Sequence, residues 1–428
     1  MDVKSQIKNN KSIYYKLNKK ILILIESINP DDSSGVKGRL ALINNLMKIG
    51  HHIKVIHLDE SYTNDESFET KVVRRFPTST YFWLSKLNTF AKKFGIKLNK
   101  WVEPQFGFSF SHYEDVARFK EALTRENTEH YDIVFTLSKA ASFRPHKAVL
   151  ESQKWHNKWY AYIHDPYPFH CYPRPYDWIA PGDRQKMRFM QNVFDRAVHI
   201  VFPSHLLSEW MYSYYPADKQ KNKIIPHQID NQLLPSSESL PKDFDISKIN
   251  ILHAGSLLQH RNPIALLRAF TNCLKEQNIP QNIVLWFVGG GLSHFKNEFD
   301  IVNKDYSENV KTLNRIEFKV AYTMQSFADI NIILESKSYI SPFLPGKLPH
   351  LIKANRPIIH IGPKLSETYR LMNKELNFIN TKSDNLNGLK DSIIVSVNNL
   401  EDIDFSQKLF SLEIRHYFSE SFLIKKIS

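Results

Sequence analysis

The sequence has little cysteine. Two in 428 residues, Cys171 and Cys273, leave no disulfide framework and no metal-ligand spacing, and the reading that follows is a reducing, cytoplasmic compartment. Glycine is also scarce, at 13 residues beside 21 prolines, which excludes collagen-like and linker-like chains. No apolar run approaches the roughly 20 residues of a membrane-spanning helix; stretches such as Ile21–Ile25 are strand-sized. Residues 1–19 are polar and basic without the apolar stretch of a signal peptide, and read as a flexible basic leader. No internal repeat, zinc-finger pattern or helix-turn-helix signature is visible, so nucleic acid is not an expected partner.

What is present is apolar content of 42% against 24% charged, enough for packed cores in two or three domains. The formal charge is +13, and residues 1–100, with 18 basic and 9 acidic side chains, carry +9 of it. Between Lys71 and Val102 lie eight basic residues and no acid, interleaved with Phe76, Tyr81, Phe82, Trp83, Phe90, Phe94 and Trp101. Such a stretch suits a peripheral contact with an anionic membrane surface, through cations at headgroup level and aromatics in the interface; the competing reading is a solvated face beside ordinary core aromatics.

Strand-like apolar runs alternate with helix-like stretches, which predicts an α/β chain with parallel sheets. The expected strands are Lys20–Ile25, Ile53–Leu58, Asp132–Thr136, Trp159–Ile163 and Val198–Phe202, then Ile249–Ala254, Ile283–Val288, Ile316–Phe318, Ile330–Leu334 and Ile358–Ile361. Ser33, Ser34, Gly35 and Gly38 read as a small-residue loop before a helix that ends at Gly50. The Pro- and Ser-bearing segment 231–248 is the expected linker. It would separate a first doubly wound domain, residues 20–230, from a second, residues 249–404. The closing stretch 405–428 is expected to be a helix, over Phe405–Phe418, that packs back across the junction.

Open parallel sheets bind ligands at the carboxyl ends of their strands. After the first strand of the second domain comes Gly255-Ser256-Leu257-Leu258-Gln259-His260-Arg261-Asn262-Pro263, with small residues that let backbone amides approach an anion, a guanidinium fork, and a proline suited to the first helical position. Ser341 to Pro349 adds Pro345, Gly346, Lys347 and Leu348, with Gly346 read as allowing a tight turn. An Arg and a Lys converging on one sheet edge suit a diphosphate. In the first domain, His164 and Asp165 follow a strand, and nine Trp, Tyr or Phe residues lie between Trp155 and Trp178, a setting for sugar rings. A metal site from His164, Asp165, His170 and Cys171 is the competing reading, and its spacing fits no common zinc pattern. Asp243/Asp245 and Asp402/Asp404 imitate metal-binding pairs away from these strand ends.

In this order the motifs resemble the GT-B nucleotide-sugar glycosyltransferases, specifically the retaining family-four-type bacterial enzymes, over about Lys20 to Ile361. The residues carrying the resemblance are Ser34-Gly35 with Gly50-His51, Tyr131-Asp132-Ile133-Val134, Ile163-His164-Asp165, Phe202-Pro203-Ser204 with Ile224-Ile225-Pro226-His227, His253-Ala254-Gly255-Ser256-Leu257 with Arg261, Phe287-Val288-Gly289-Gly290-Gly291, and Ala328-Asp329-Ile330. Ser256 stands where that family usually has Arg, and Arg261 where it has Lys. The family's two glutamates, eight apart, fall on Pro342 and His350, so its usual ribose-gripping carboxylate is missing. The resemblance implies two Rossmann-like domains facing across a cleft, and a hexosyltransferase-type enzyme with no cofactor and no metal. Its substrates would be a nucleoside diphosphate sugar donor and a glycan or lipid-linked acceptor, in bacterial surface polysaccharide synthesis on the inner face of the plasma membrane. The expected catalytic residues are His164 and Asp165. The expected donor-binding residues are Gly35, Gly255, Ser256, Arg261, Tyr322, Pro345, Gly346, Lys347 and Leu348. A nucleotide-sugar epimerase, or a non-catalytic binder of sugar nucleotides or glycans, remains the alternative.

Overall fold

The structure is a computed structural model that describes residues 18–30, 32, 34–60 and 67–427. The expected leader up to residue 17, and Ser33 of the expected small-residue loop, lie outside the described residues. The chain divides into two compact units. The first holds the chain through Tyr172, Tyr176–Gln228 and everything from Ser419 on; the second holds Ile229–Phe418 and the short Pro173–Pro175.

The first unit is built on seven parallel strands: β1 (Lys20–Leu24), β2 (His52–His57), β3 (Glu69–Val72), β4 (Ile133–Leu137), β5 (Trp159–Tyr162), β6 (His199–Phe202) and β7 (Asn222–Ile224), in the order β3-β2-β1-β4-β5-β6-β7. Ile21 pairs with Ile53 on one side and Ile133 on the other, so β1 is central. Its run of β-branched and leucine residues is buried on both faces, as a parallel sheet covered by helices requires. On one face Ile21, Ile23 and Ile25 pack with Leu42, Ile43 and Leu46 of the helix Ser34–Lys48, and with Leu423 and Ile427 of the closing helix Glu420–Ile427. Each such fully buried side chain contributes about 1.5–3 kcal/mol.

The second unit repeats the plan with β8 (Ile249–Ala254), β9 (Ile283–Val288), β10 (Val310–Leu313), β11 (Ile330–Leu334), β13 (Ile358–Ile361) and β15 (Phe378–Thr381), in the order β10-β9-β8-β11-β13-β15 and all parallel. Two short strands, β12 (Ile340–Ser341) and β14 (Leu365–Ser366), pair separately. Each sheet therefore has one point where the strand order reverses, between β1 and β4 and between β8 and β11, and ligands of open α/β sheets bind outside the strand ends at that point.

Several expectations shift in the structure. The expected linker 231–248 is mostly exposed but anchored near its end. Phe244 is buried with its ring 5.5 Å from Trp286, and Asn250 donates to the carbonyls of Asp245 and Lys248 while accepting from Trp286 Nε1. No strand forms at Ile316–Phe318; the edge strand is β10, and Phe318 opens the helix Phe318–Phe327 because its apolar residues follow a helical period. Gly35 lies in the first turn of the helix Ser34–Lys48 rather than in a loop. Pro263 sits at the N-cap position before the helix Ile264–Lys275, and the side chain of Asn262 takes the amide of Ile264 at 2.8 Å. The expected helix Phe405–Phe418 is only Leu412–Tyr417. Asp404 instead folds a turn onto Ser406, and the Ser411 hydroxyl caps the helix by accepting from Ile414 N.

Candidate functional site

In the second unit the loop after β8 lies against the loop after β9. Gly255 N donates to Val288 O at 2.8 Å and Leu257 N to Gly290 O at 2.9 Å. This contact demands glycine twice. Gly289 has φ +143 and Gly291 φ +81, and a Cβ on either would stand 2.5 Å from Gly255 O or 2.0 Å from Leu257 O. Leu258 and Arg261 then exchange backbone hydrogen bonds of 2.8 and 3.2 Å, closing a tight turn that sets the Arg261 side chain beside Ser256 O, 3.4 Å from Nη1. Arg261 Nε is buried with no partner among the described residues.

Lys347 reaches the reversal point between β8 and β11. Its Nζ donates to Ala254 O at 3.1 Å and Ile332 O at 3.0 Å, and lies 3.3 Å from His253 Nδ1. His253 Nδ1 also stands 3.2 Å from Ile332 O, so it serves either as acceptor for the ammonium or as donor to the carbonyl. The Cβ that Gly255 lacks would fall 3.5 Å from Nζ, so the amine abuts the glycine loop. Burial pushes the Lys347 ammonium down to about 7, Arg261 adds to the shift, and Glu335 opposes it. Burial, Lys347 and Arg261 hold His253 neutral, well below its ordinary range. An anion arriving here would meet two cationic side chains, one of which gains its proton most readily when negative charge is near.

Sequence reasoning missed Glu335, the residue that follows β11. It is buried, accepts from Thr368 Oγ1 at 2.6 Å, and has Oε1 3.1 Å from His360 Nε2. Burial alone would raise its pKa, but His360, Ser341 and Thr368 hold it below the usual carboxylate range. Gly346 needs no special backbone: its φ is ordinary and nothing lies within 4 Å of where its Cβ would be. The turn is closed instead by Leu348 N donating to Pro345 O at 2.9 Å, and Leu348 itself is buried. Tyr322 is buried on the helix Phe318–Phe327, with its ring 5.9 Å from His350 and under the Lys353 ammonium. These contacts place Tyr322 against the helix Leu348–Ala354, whose N-cap residue is Lys347. His350, at the position of the family's second glutamate, is buried and accepts from Asp230 N through Nε2 at 3.3 Å.

In the first unit His164 and Asp165 follow β5, and Ser138 follows the neighbouring β4. Ser138 Oγ lies 3.0 Å from His164 Nδ1 and accepts from His164 N at 3.2 Å, while the imidazole stacks on Tyr162 at 4.1 Å. The second residue that sequence reasoning missed is Arg39, on the helix after β1. It is 3% exposed, and its Nη1 donates to Ser138 O at 2.8 Å across the β1/β4 reversal point. Nε and Nη2 are buried without a partner among the described residues. Gly35 makes room for it, since a Cβ there would stand 3.3 Å from Nη1. Burial lowers Arg39 to about 10 against the opposing pull of Glu26, Asp165 and Asp32. Burial raises Asp165 to about 6, tempered by Arg39, and holds His164 well below its ordinary range. Beside this cluster a groove of about 600 Å³ is lined by Glu26, Ser27, Asp59, Asp115, Arg118 and Arg144, among others. Its charges are paired: Arg144 with Glu26 at 2.8 Å and Asp115 at 2.9 Å, Arg118 with Asp115 at 3.2 Å and Glu60 at 3.0 Å.

The metal reading of the His164 segment finds no geometry. His170 Nε2 lies 3.4 Å from Met187 Sδ, Cys171 is buried beside Tyr215, and no group of three His, Cys, Asp or Glu among the described residues is placed to hold an ion. Asp245 and Asp404 accept from Ser247 and Ser406 in local turns. Of the aromatics between Trp155 and Trp178, Trp155, Trp159, Tyr162 and Tyr167 are core residues, while Phe169 and Trp178 are exposed with rings 5.0 Å apart.

No protein-family model and no curated protein matches the sequence. Solved structures do match the fold along the whole chain. A glycosyltransferase from Rickettsia africae ESF-5 aligns at TM-score 0.62 and 15% identity, covering 96% of each chain. HepE of Anabaena, solved with UDP and glucose, aligns at 0.54 and 14%, covering 95% of this chain and all of that one. WaaG, a glycosyltransferase involved in lipopolysaccharide biosynthesis, aligns at 0.59 and 12%, covering 95% and 97%. Two doubly wound parallel sheets in this order, matched along the full length of such neighbours, make this the GT-B fold of glycosyltransferases.

Proposed function

We propose that the protein is a glycosyltransferase that moves a sugar from a nucleoside diphosphate donor to a hydroxyl of a glycan or lipid-linked acceptor. The observation that carries this reading is the pair Arg261 and Lys347, placed against the Gly255–Gly291 backbone contact at the β8/β11 reversal point. In the reaction the bond between the sugar's anomeric carbon and the diphosphate oxygen breaks, and the diphosphate keeps the electron pair. The acceptor oxygen bonds to that carbon and its proton passes to a base. Charge builds on the leaving diphosphate, so cations already in place stabilise the transition state more than the ground state. These two side chains supply that stabilisation without a metal or cofactor. Gly255 and Ser256 offer backbone and hydroxyl contacts to the same anion, with Pro345 and Leu348 fixing the turn that carries Lys347.

We assign the sugar and acceptor chemistry to the first unit. His164, neutral and oriented by Ser138, is a hydrogen-bond partner for sugar hydroxyls. Asp165, with a pKa near 6, is ionised at neutral pH and matched to accepting a proton there. The charge-paired groove beside them suits a neutral, hydroxyl-rich acceptor. Work on a lipid-linked acceptor at the inner face of the plasma membrane, in surface polysaccharide synthesis, is supported by the involvement of WaaG in lipopolysaccharide biosynthesis and by an exposed basic and aromatic face of the first unit. The test is a panel of nucleotide sugars read by mass spectrometry. Release of nucleoside diphosphate supports transfer or hydrolysis. An epimerised donor, or binding without turnover, contradicts it.

A further inference from the structure

A helix on the surface of a globular protein normally buries its large apolar residues and exposes its polar ones. The helix Thr80–Lys93 does the reverse. Its buried residues are Ser85, Asn88 and Ala91, with Asn88 only 4% exposed. Its exposed ones are Trp83 at 63%, Leu87, Phe90 and, just past its end, Phe94 at 68%. The spacing of four, three and four residues aligns them in one stripe along the solvent side. The stripe is ordered: Trp83 Nε1 donates to Pro77 O at 2.8 Å, and the Phe90 and Phe94 rings are 5.0 Å apart.

Exposed Ile96 leads into the next helix, Asn99–Phe106, which exposes Trp101 at 77% and Phe106. A loop continues the surface. Gly182 packs on Glu103 and Gly107, and Gln185 Nε2 donates to Pro104 O and Gln105 O at 3.0 and 2.8 Å. Three and four residues before Gly182, Ile179 and Trp178 are exposed.

Charge selects the occupant. Lys86, Lys92, Lys93, Lys97 and Lys100 are all exposed around the stripe and make no ion pair among the described residues. Lys71 and Arg75 of the same basic run are engaged elsewhere, with Glu126 and Glu114. A second copy of this chain laid on the same face would set these lysines against their own equivalents with no carboxylate between Lys71 and Val102 to offset them. An anionic bilayer meets both halves of the pattern: headgroups attract the lysines, and the rings enter the interface below them.

We propose that the face formed by Thr80–Lys93, Asn99–Phe106 and the Trp178–Ile179 loop docks this protein on an anionic lipid bilayer. The inference deepens the reading of a membrane-located acceptor by naming the surface that reaches the membrane. The experiment is flotation of the full chain with phosphatidylcholine vesicles, with and without phosphatidylglycerol, in the absence of any sugar nucleotide. The protein floats with the anionic vesicles, and binding collapses in about 1 M salt, where screening acts within about 3 Å. Replacing Lys92, Lys93 and Lys97 with Gln weakens partition by about 100-fold, given about fivefold per cation. A Trp83→Ser, Phe90→Ser, Trp101→Ser variant also loses binding, and brominated lipid quenches the tryptophan fluorescence of the parent only. Equal flotation with neutral vesicles, undiminished binding in both variants, or a concentration-dependent dimer with no vesicle binding overturns the proposal. Because no donor is present, failure here leaves sugar transfer standing, and failure of transfer leaves the docking surface standing.

Discussion

Both units place a buried cation at the point where the strand order reverses, and the two are set differently. Arg39 donates to Ser138 O at the β1/β4 point, and Glu26, Asp165 and Asp32 surround it with negative charge. Lys347 donates to Ala254 O and Ile332 O at the β8/β11 point, and its strongest charged neighbour is another cation, Arg261. The first site is close to charge balance, so an added anion gains little there; neighbouring Arg144 and Arg118 are likewise matched with carboxylates. The second sets two cations against Glu335 alone, in a half-buried setting where Coulombic attraction is screened less than at an open surface. On the proposed reading, the same fold plan serves neutral hydroxyls at one site and a diphosphate at the other, and the difference lies in a few side chains at the strand ends.

The largest expected effect breaks the second site. Arg261→Ala and Lys347→Ala each lower kcat/KM for a nucleotide sugar by about 100-fold or more, since each removes a charge-assisted contact that strengthens as the diphosphate leaves. Near-normal rates in both would move the diphosphate elsewhere. Breaking the first site gives a different signature. His164→Ala lowers turnover by about tenfold or more while affinity for the free nucleoside diphosphate holds, because His164 is engaged with Ser138 in the other unit. Parallel losses of affinity and rate would assign His164 to structure alone.

A smaller effect sharpens the contrast through pH. The free Lys347 amine titrates near 7, and a bound diphosphate stabilises its charged form and raises that pKa. Between the two values binding takes up a proton, so affinity falls as pH rises above about 7, by up to about tenfold per unit. Titration calorimetry in buffers of different ionisation heat reads the proton uptake directly. Lys347→Arg, charged throughout this range, should flatten the profile, and an unchanged slope in that variant would place the titrating group elsewhere. The smallest expected effect is none: EDTA leaves turnover unchanged, whereas loss restored by Mg²⁺ or Mn²⁺ would contradict leaving-group stabilisation by side chains alone.

The central strands were legible because parallel strands buried on both faces need uninterrupted apolar runs, as in Ile21–Ile25 and Ile283–Val288. Arg261 was legible because it stands in the turn after such a run, and Lys347 because it stands in a Pro- and Gly-bearing turn before a helix. Arg39 and Glu335 were not. A single arginine inside a helix, or a single glutamate after a strand, has no spacing that separates it from solvated surface charge, and only the tertiary fold buries it. The readings of Gly35 and Gly346 as loop residues relied on composition. Gly35 is instead helical and shaped by the Arg39 guanidinium, and Gly346 occupies open space with ordinary backbone angles. The amphipathic basic stretch was visible as a composition, but its inside-out orientation follows only from which helix face packs against the helix Phe110–Thr124.

The most direct test of the account follows release of nucleoside diphosphate from a panel of sugar donors by the parent protein and by Lys347→Ala. The account predicts release from at least one donor with the parent, slowed by about 100-fold or more in the variant. Release at equal rates from both proteins, or an epimerised donor with no diphosphate released, would contradict it.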